Sequence, residues 1–108
     1  MRILEYIDPA GRSPFADWFD GLDSQAAAKI AVALARMEQG NLSNLKGVGA
    51  GVHEFKIDFG PGYRIYLGRD GEDLIILLAG GTKKRQQRDN AAAQEWWADY
   101  RQRKKGSR

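Results

Sequence analysis

Glu54, Lys56, Arg64 and Tyr66, followed by Lys83 and Lys84, are the side chains of this sequence best equipped for chemistry. All six lie in the stretch VHEFKIDFGPGYRIYLGRDGEDLIILLAGGTKK, residues 52–84. In extended backbone, successive side chains alternate between faces, so Glu54 aligns with Lys56 and Arg64 with Tyr66. A guanidinium offers a planar fork of donors to two phosphate oxygens. Lysine adds a compact positive charge, glutamate a proton acceptor and tyrosine a hydroxyl on an aromatic ring. Together they describe a cationic, hydroxyl-bearing face on a rigid sheet, suited to meeting the phosphates of RNA.

Three strands must position these groups. From Val52 to Phe59, His53, Phe55, Ile57 and Phe59 share one face, while Val52, Glu54, Lys56 and Asp58 share the other. An apolar face backed by a charged one predicts a sheet covered on one side. Gly60-Pro61-Gly62 supplies a turn. Tyr63, Ile65 and Leu67 then oppose Arg64 and Tyr66, and Asp70-Gly71 is a hairpin signal. Leu74 to Ala79 is apolar without alternation, which predicts a central strand buried on both faces. An antiparallel meander is the simplest order for the three.

The flanking chain reads as cover for this sheet. Arg2 to Ile7 is a short strand stopped by Asp8-Pro9-Ala10-Gly11. Ser13-Pro14 is a capped helix start, and Phe15, Trp18, Phe19 and Leu22 follow on one helical face. After Asp23-Ser24 a second helix runs over 25–39, turning Ile30, Leu34 and Met37 inward and stopping at Gly40-Asn41. Residues 42–51 are glycine-rich and aperiodic, so a loop is expected. A third helix is expected over 85–103, with Ala92, Trp96 and Tyr100 four apart, as are Ala93 and Trp97.

The chain has 108 residues, enough for one domain with a modest core. It has no cysteine and one histidine, so neither a disulfide framework nor a metal centre is expected. No apolar run approaches the roughly 20 residues of a membrane helix, and no signal-peptide pattern opens the chain. A cytoplasmic protein without membrane or cofactor is the expectation. Residues 1–45 carry four basic and six acidic side chains, and residues 46–108 carry thirteen and eight, which gives −2 and +5 for a total of +3. The second half therefore favours an anionic partner, and composition alone does not distinguish RNA, DNA or an acidic protein.

The order β-α-α-β-β-β-α, with GPGYRIY and a following GGTKK, resembles the RelE/ParE toxin superfamily of type II toxin–antitoxin systems. Its HigB-like branch, the addiction module killer proteins, looks closest. The likeness extends over nearly the whole chain, most specifically over EFKIDFGPGYRIYLGRDGEDLIILLAGGTKK and LDSQAAAKIAVALARMEQGN. It implies an α+β toxin that cleaves mRNA on the ribosome and is neutralised by an antitoxin bearing a helix-turn-helix. ParE-type members of the superfamily poison DNA gyrase instead, so the fold leaves the target open. A non-catalytic module binding RNA or antitoxin is a third alternative.

In the RNA-cleaving members, the resemblance implies a metal-free attack of the ribose 2′-hydroxyl on the adjacent phosphate. That step needs a proton acceptor, a stabiliser of the phosphorane and a donor for the departing oxygen. Arg64 matches the phosphate-clamping arginine, against an ordinary pairing with Glu54 or Asp58. Lys56 matches the strand lysine acting as base or phosphate ligand, against a partner for Asp58 or Glu72. Lys83 or Lys84 would stabilise the transition state, against solvated residues at a helix start. Arg85 and Arg88 would hold RNA backbone. Tyr66 would stack on a base or donate a proton, against a half-buried strand tyrosine, and Glu54 would act as base or orient Lys56.

His53 falls on the apolar face, as a hydrogen-bonded core edge. Trp96 and Tyr100 are expected against the sheet, with Trp97 left open between burial and a partner groove. RelE-type toxins often carry a tyrosine or histidine near the C-terminus; KKRQQRDNAAAQ has neither, and the nearest hydroxyl is Tyr100. Five cations between Arg101 and Arg108 form a frayed tail or a docking tail for ribosomal RNA.

Overall fold

A computed structural model describes residues 1–106 of the chain. It is an α+β fold in which a five-stranded mixed sheet lies between helices on both faces. The strands are β1 (Arg2–Glu5), β2 (Leu45–Gly49), β3 (Val52–Ile57), β4 (Tyr63–Arg69) and β5 (Leu74–Thr82), in the spatial order β1-β5-β4-β3-β2. The helices are α1 (Pro14–Asp20), α2 (Ser24–Glu38) and α3 (Gln86–Gly106), the last entered through a 3₁₀ turn over Lys83–Arg85. Strands β2 to β5 form the antiparallel meander, while β1 joins the far side of β5 in parallel.

The observed arrangement differs from the expected one in two places. Residues 45–49, expected as loop, pair with β3 as a fourth meander strand through a Gly49-Ala50-Gly51 turn. All three turn residues have positive φ, at 110°, 54° and 83°, which glycine accepts readily. Glycines at 47 and 49 hide the strand from its own pattern, and pairing with the well-formed β3 decides it. Second, the sheet is not open on its polar side, because α3 lies across β3, β4 and β5 there.

Helices α1 and α2 start as the sequence predicts. The Ser13 hydroxyl accepts from Ala16 N–H at 3.0 Å, and the Asp23 carboxylate accepts from Ala26 N–H at 2.8 Å. Their apolar sides cover one face, burying Phe15, Ile30 and Met37 against Phe55, Ile65, Leu67, Ile75 and Leu77. On the other face, Ala93 and Trp97 of α3 meet Val52, Tyr66, Ile76 and Leu78. The non-alternating β5 is thus buried on both faces, as expected.

A bulge in β5 decides which residues face which helix. Tyr66 pairs with Ala79 but Leu67 pairs with Leu77, so Leu78 is unpaired and the alternation shifts beyond it. Gly80 consequently turns to α1 and Gly81 to α3. A Cβ at Gly80 would collide with the Trp18 ring, and one at Gly81 with the Asp89 carboxylate. The two glycines let both layers close on the sheet.

Trp96 and Tyr100 pack against the core on the α3 face of the sheet, as expected, and the open question of Trp97 is answered by burial. Trp97 is the buried member, 5% exposed, with its indole against Gly51 and Gly68, where any side chain would strike it. Trp96 and Tyr100 are half-buried: Trp96 stacks on Tyr6 at 6.3 Å and Tyr100 on Trp97 at 5.3 Å between ring centroids. The helix continues through residues 104–106, expected to fray. Lys104 binds Asp70 at 2.5 and 2.6 Å, while Arg103 pairs with Asp99 at 2.8 Å and donates to the Ile7 carbonyl. Ser107 and Arg108 of the proposed docking tail lie outside the described residues. Among the described residues, no helix is long and apolar enough to cross a membrane.

Candidate functional site

Strand pairing brings the chemically equipped side chains to one end of one sheet face. Glu54 lies opposite Tyr66 and Lys56 opposite Arg64, and the next strand sets Gly81 opposite Arg64. Two residues beyond Gly81, Lys83 enters the 3₁₀ turn and donates its N–H to the Gly62 carbonyl at 2.8 Å. Arg64 Nη1 donates to the same carbonyl at 3.1 Å. Gly62 is thus the hub that holds the Lys83 turn against the start of β4. Its φ of 78° is one that a residue with a Cβ adopts at a cost.

Exposure divides these residues into two groups. Lys56, Lys83, Lys84, Arg85 and Arg88 face solvent. Arg64, Glu54 and Tyr66 do not: they are 3%, 5% and 0% exposed. This corrects the expected cationic, hydroxyl-bearing face, on which Glu54, Arg64 and Tyr66 would stand open beside the lysines. The cause is α3, which starts directly after β5 and lays its first turns over the polar row.

Under that helix the buried groups face one another. Arg64 Nε lies 3.4 Å from Glu54 Oε1, an ion pair without hydrogen-bond geometry. Glu54 Oε2 accepts from Gln86 Nε2 at 3.0 Å, and the Tyr66 hydroxyl donates a long 3.4 Å bond to the Gln86 carbonyl. Gln86 and Asp89 are therefore members of the site that sequence reading missed. The signal for Asp89 was the second glycine of LAGGTKK, an unexplained gap in a buried strand.

Electrostatics follow from the burial. Tyr66 is pushed well above the usual phenol range, first by desolvation and then by the Glu54 and Asp89 carboxylates. It is a neutral hydroxyl at pH 7 and, being wholly buried, has no face free to stack on a base. Asp89 is also pushed upward by burial, against the pull of Arg85 and Arg88. Glu54 is committed to Arg64 and Gln86, which is the orienting role rather than that of a free base. Arg64 shows the ordinary pairing with Glu54, with Nη1 bonded to the Gly62 carbonyl and Nε facing the carboxylate without a hydrogen bond.

The solvent-facing part is different. Lys83, Lys84, Arg85, Gln86, Gln87 and Arg88 line a shallow depression of about 490 Å³ beside Lys56's end of the sheet. Four cations and two amides with no acid among them make an anion-binding surface. Tyr100 is no part of it. Its hydroxyl donates to Asp70 at 2.7 Å, beyond the opposite end of β4 and roughly 20 Å from Arg64 at strand rise.

His53 takes the α2 side of the sheet as expected, but its buried Nδ1 has no hydrogen-bond partner, against the expected satisfied core edge. Among the described residues, no three His, Cys, Asp or Glu side chains converge on a point that would hold a metal ion.

Much of the chain, this basic turn included, is similar to known proteins. An uncharacterized protein of Haemophilus influenzae (strain ATCC 51907 / DSM 11121 / KW20 / Rd) is 41% identical over 63 residues, 57% of this chain. The match spans 64% of that relative's length, a little under two thirds. The family of phage-derived, Gp49-like proteins (DUF891) matches residues 17–95, from within α1 through the basic turn and into α3. With well over half its length inside that match, the chain belongs to the Gp49-like phage-derived protein family, known for toxins of toxin–antitoxin systems.

Proposed function

We propose that this chain is the toxin of a type II toxin–antitoxin pair, of HigB-like character, and that it arrests translation by cleaving mRNA bound along its basic corner. The observation carrying this reading is the acid-free run of exposed cations over Lys83–Arg88, adjoining Lys56 at the same end of the sheet. In the reaction, the ribose O2′ bonds to the adjacent phosphorus while the P–O5′ bond breaks, leaving a 2′,3′-cyclic phosphate and a 5′-hydroxyl. A lysine amine, Lys56 by position, takes the 2′ proton, and a lysine ammonium returns one to O5′. Lys83 and Lys84 offset the charge on the phosphorane. Arg85 and Arg88 hold flanking phosphates. Arg64 reaches phosphate only if Gln86 and the first turn of α3 lift from it; in the closed form it anchors Glu54. Ribosome-bound mRNA is the proposed substrate, and a helix-turn-helix antitoxin the proposed partner.

Primer extension on translated transcripts after brief induction tests the reading. New cuts are expected for the wild type, with loss in Lys56→Ala and in Lys83→Ala/Lys84→Ala. Growth arrest with intact transcripts and broken DNA would assign a gyrase-type target and end the ribonuclease proposal. One observation favours a second, non-catalytic reading: the Arg64 guanidinium is 3% exposed, paired with Glu54 and bonded to the Gly62 carbonyl. A harmless wild type that still binds RNA would establish that alternative.

A further inference from the structure

The sheet ends in two terminal strands, β1 and β2. At β1, the Arg2 N–H donates to the carbonyl of Asp73, just before β5, and the N–H of Tyr6, just after β1, to that of Leu77 in β5. Backbone groups alternate sides along a strand, so those of Ile3 and Glu5 turn away from the sheet. Beside that edge runs a groove of about 580 Å³ between β1 and α2, lined mainly by Ile3, Leu4, Ile7, Leu34, Glu5 and Glu38. Leu4 and Ile7 are 46% and 44% exposed, unusual for large aliphatic side chains beside an open strand. The charged side chains of the lining are both carboxylates, Glu5 and Glu38. Cations also adjoin the lining, both on backbone carbonyls: the Met1 ammonium donates to that of Glu38 at 3.1 Å, and the Arg103 guanidinium to that of Ile7.

We infer that this edge accepts an extended, basic and apolar segment of a partner protein as a sixth strand beside β1. The strand's backbone would pair with Ile3 and Glu5. Its apolar side chains would fill the groove against Ile3, Ile7 and Leu34, and a Lys or Arg would meet Glu5. The charge asymmetry of the chain agrees, because residues 1–45 carry a net −2 while the basic corner lies in the other half. The inference uses none of the RNA-binding residues and does not rest on the ribonuclease reading.

Amide hydrogen exchange of the full chain, with synthetic seven-residue peptides at millimolar concentration, tests it. One peptide alternates Val and Thr with a central Lys; the other carries Glu in place of Lys. The Lys peptide is expected to slow exchange at Ile3 and Glu5 about tenfold, and the Glu peptide to leave it unchanged. In Glu5→Lys, an exposed substitution, the preference is expected to reverse. Unchanged exchange with both peptides overturns the inference, as does equal protection by both. Concentration-dependent self-association that protects the same amides without peptide would assign the edge to a second copy of this chain, and would also overturn it.

Discussion

Glu54 Oε1 and Arg64 Nε meet 3.4 Å apart, diagonally across β3 and β4, with side chains only 6% and 4% exposed. An ion pair this dry is held by its geometry and its added hydrogen bonds, here from Gln86 to the carboxylate and from Arg64 to Gly62. Removing one charge strands the other. Glu54→Gln is therefore expected to cost about 3–5 kcal/mol of stability, read from urea denaturation. Adding Arg64→Met should recover a large part of that loss. A Glu54→Gln penalty below about 1 kcal/mol would mean that water reaches the guanidinium and the face is open.

Two glycines of the sheet lie hard against tryptophans on opposite faces. A Cβ at Gly80 would enter the Trp18 ring, and one at Gly68 the Trp97 ring, whereas Gly47 has nothing within 4 Å. Gly80→Ala and Gly68→Ala are each expected to destabilise by about 1–3 kcal/mol through overpacking. The two tryptophans sit in separate core layers, so the penalties should add. Gly47→Ala serves as control and should leave the melting temperature nearly unchanged.

The same glycines show where the amino-acid pattern was legible and where it was not. Alternation from Val52 to Leu67 correctly paired Lys56 with Arg64's face, because period-two patterning is read directly from residue order. It did not reveal that Arg64 would be covered, since the cover comes from Gln86 and Asp89, residues that look like solvent-facing helix. Helix α3 presents two stripes, Ala92-Trp96-Tyr100 and Ala93-Trp97, and helical periodicity ranks neither above the other. The choice falls to the pit left under Trp97 by Gly51 and Gly68, a tertiary fact. β2 was hidden for a similar reason: Gly47 and Gly49 carry no pattern, and its hydrogen bonds are supplied by β3. The helix caps at Ser13 and Asp23 are local chemistry, and they were legible.

The far end of α3 is fastened by Asp70, which accepts from the Tyr100 hydroxyl and the Lys104 ammonium. Those bonds hold the Asp70 carboxyl below its ordinary range, while burial and Asp70 itself push the Tyr100 hydroxyl up to about 12. A depressed carboxyl contributes stability above its unfolded pKa, lost as pH falls through the folded value. A raised phenol contributes stability below about pH 10, lost as pH climbs toward 12. Asp70→Asn is therefore expected to lower the melting temperature at pH 7 by a few degrees, on the order of 4 °C, since Lys104 is largely exposed. The difference should vanish near pH 2. An equal deficit at both pH values would show that packing, not charge, accounts for the loss.

Salt dependence separates the contributions of the basic corner. Exposed cations that touch phosphate release counterions on binding, so the logarithm of affinity for single-stranded RNA should fall linearly with the logarithm of salt concentration. Each phosphate that a variant leaves unneutralised lowers that slope by about 0.7 for single strands. Lys83→Ala/Lys84→Ala should thus flatten it by about 1.4 if both side chains meet phosphate. Arg88→Ala should flatten it by about half as much. Glu54→Gln/Arg64→Met, which strands no buried charge, should leave the slope intact while the closed form persists. If instead this double variant flattens the slope as much as loss of a surface lysine, the first turn of α3 lifts on RNA binding and the guanidinium joins the phosphates, so the closed network is a resting state.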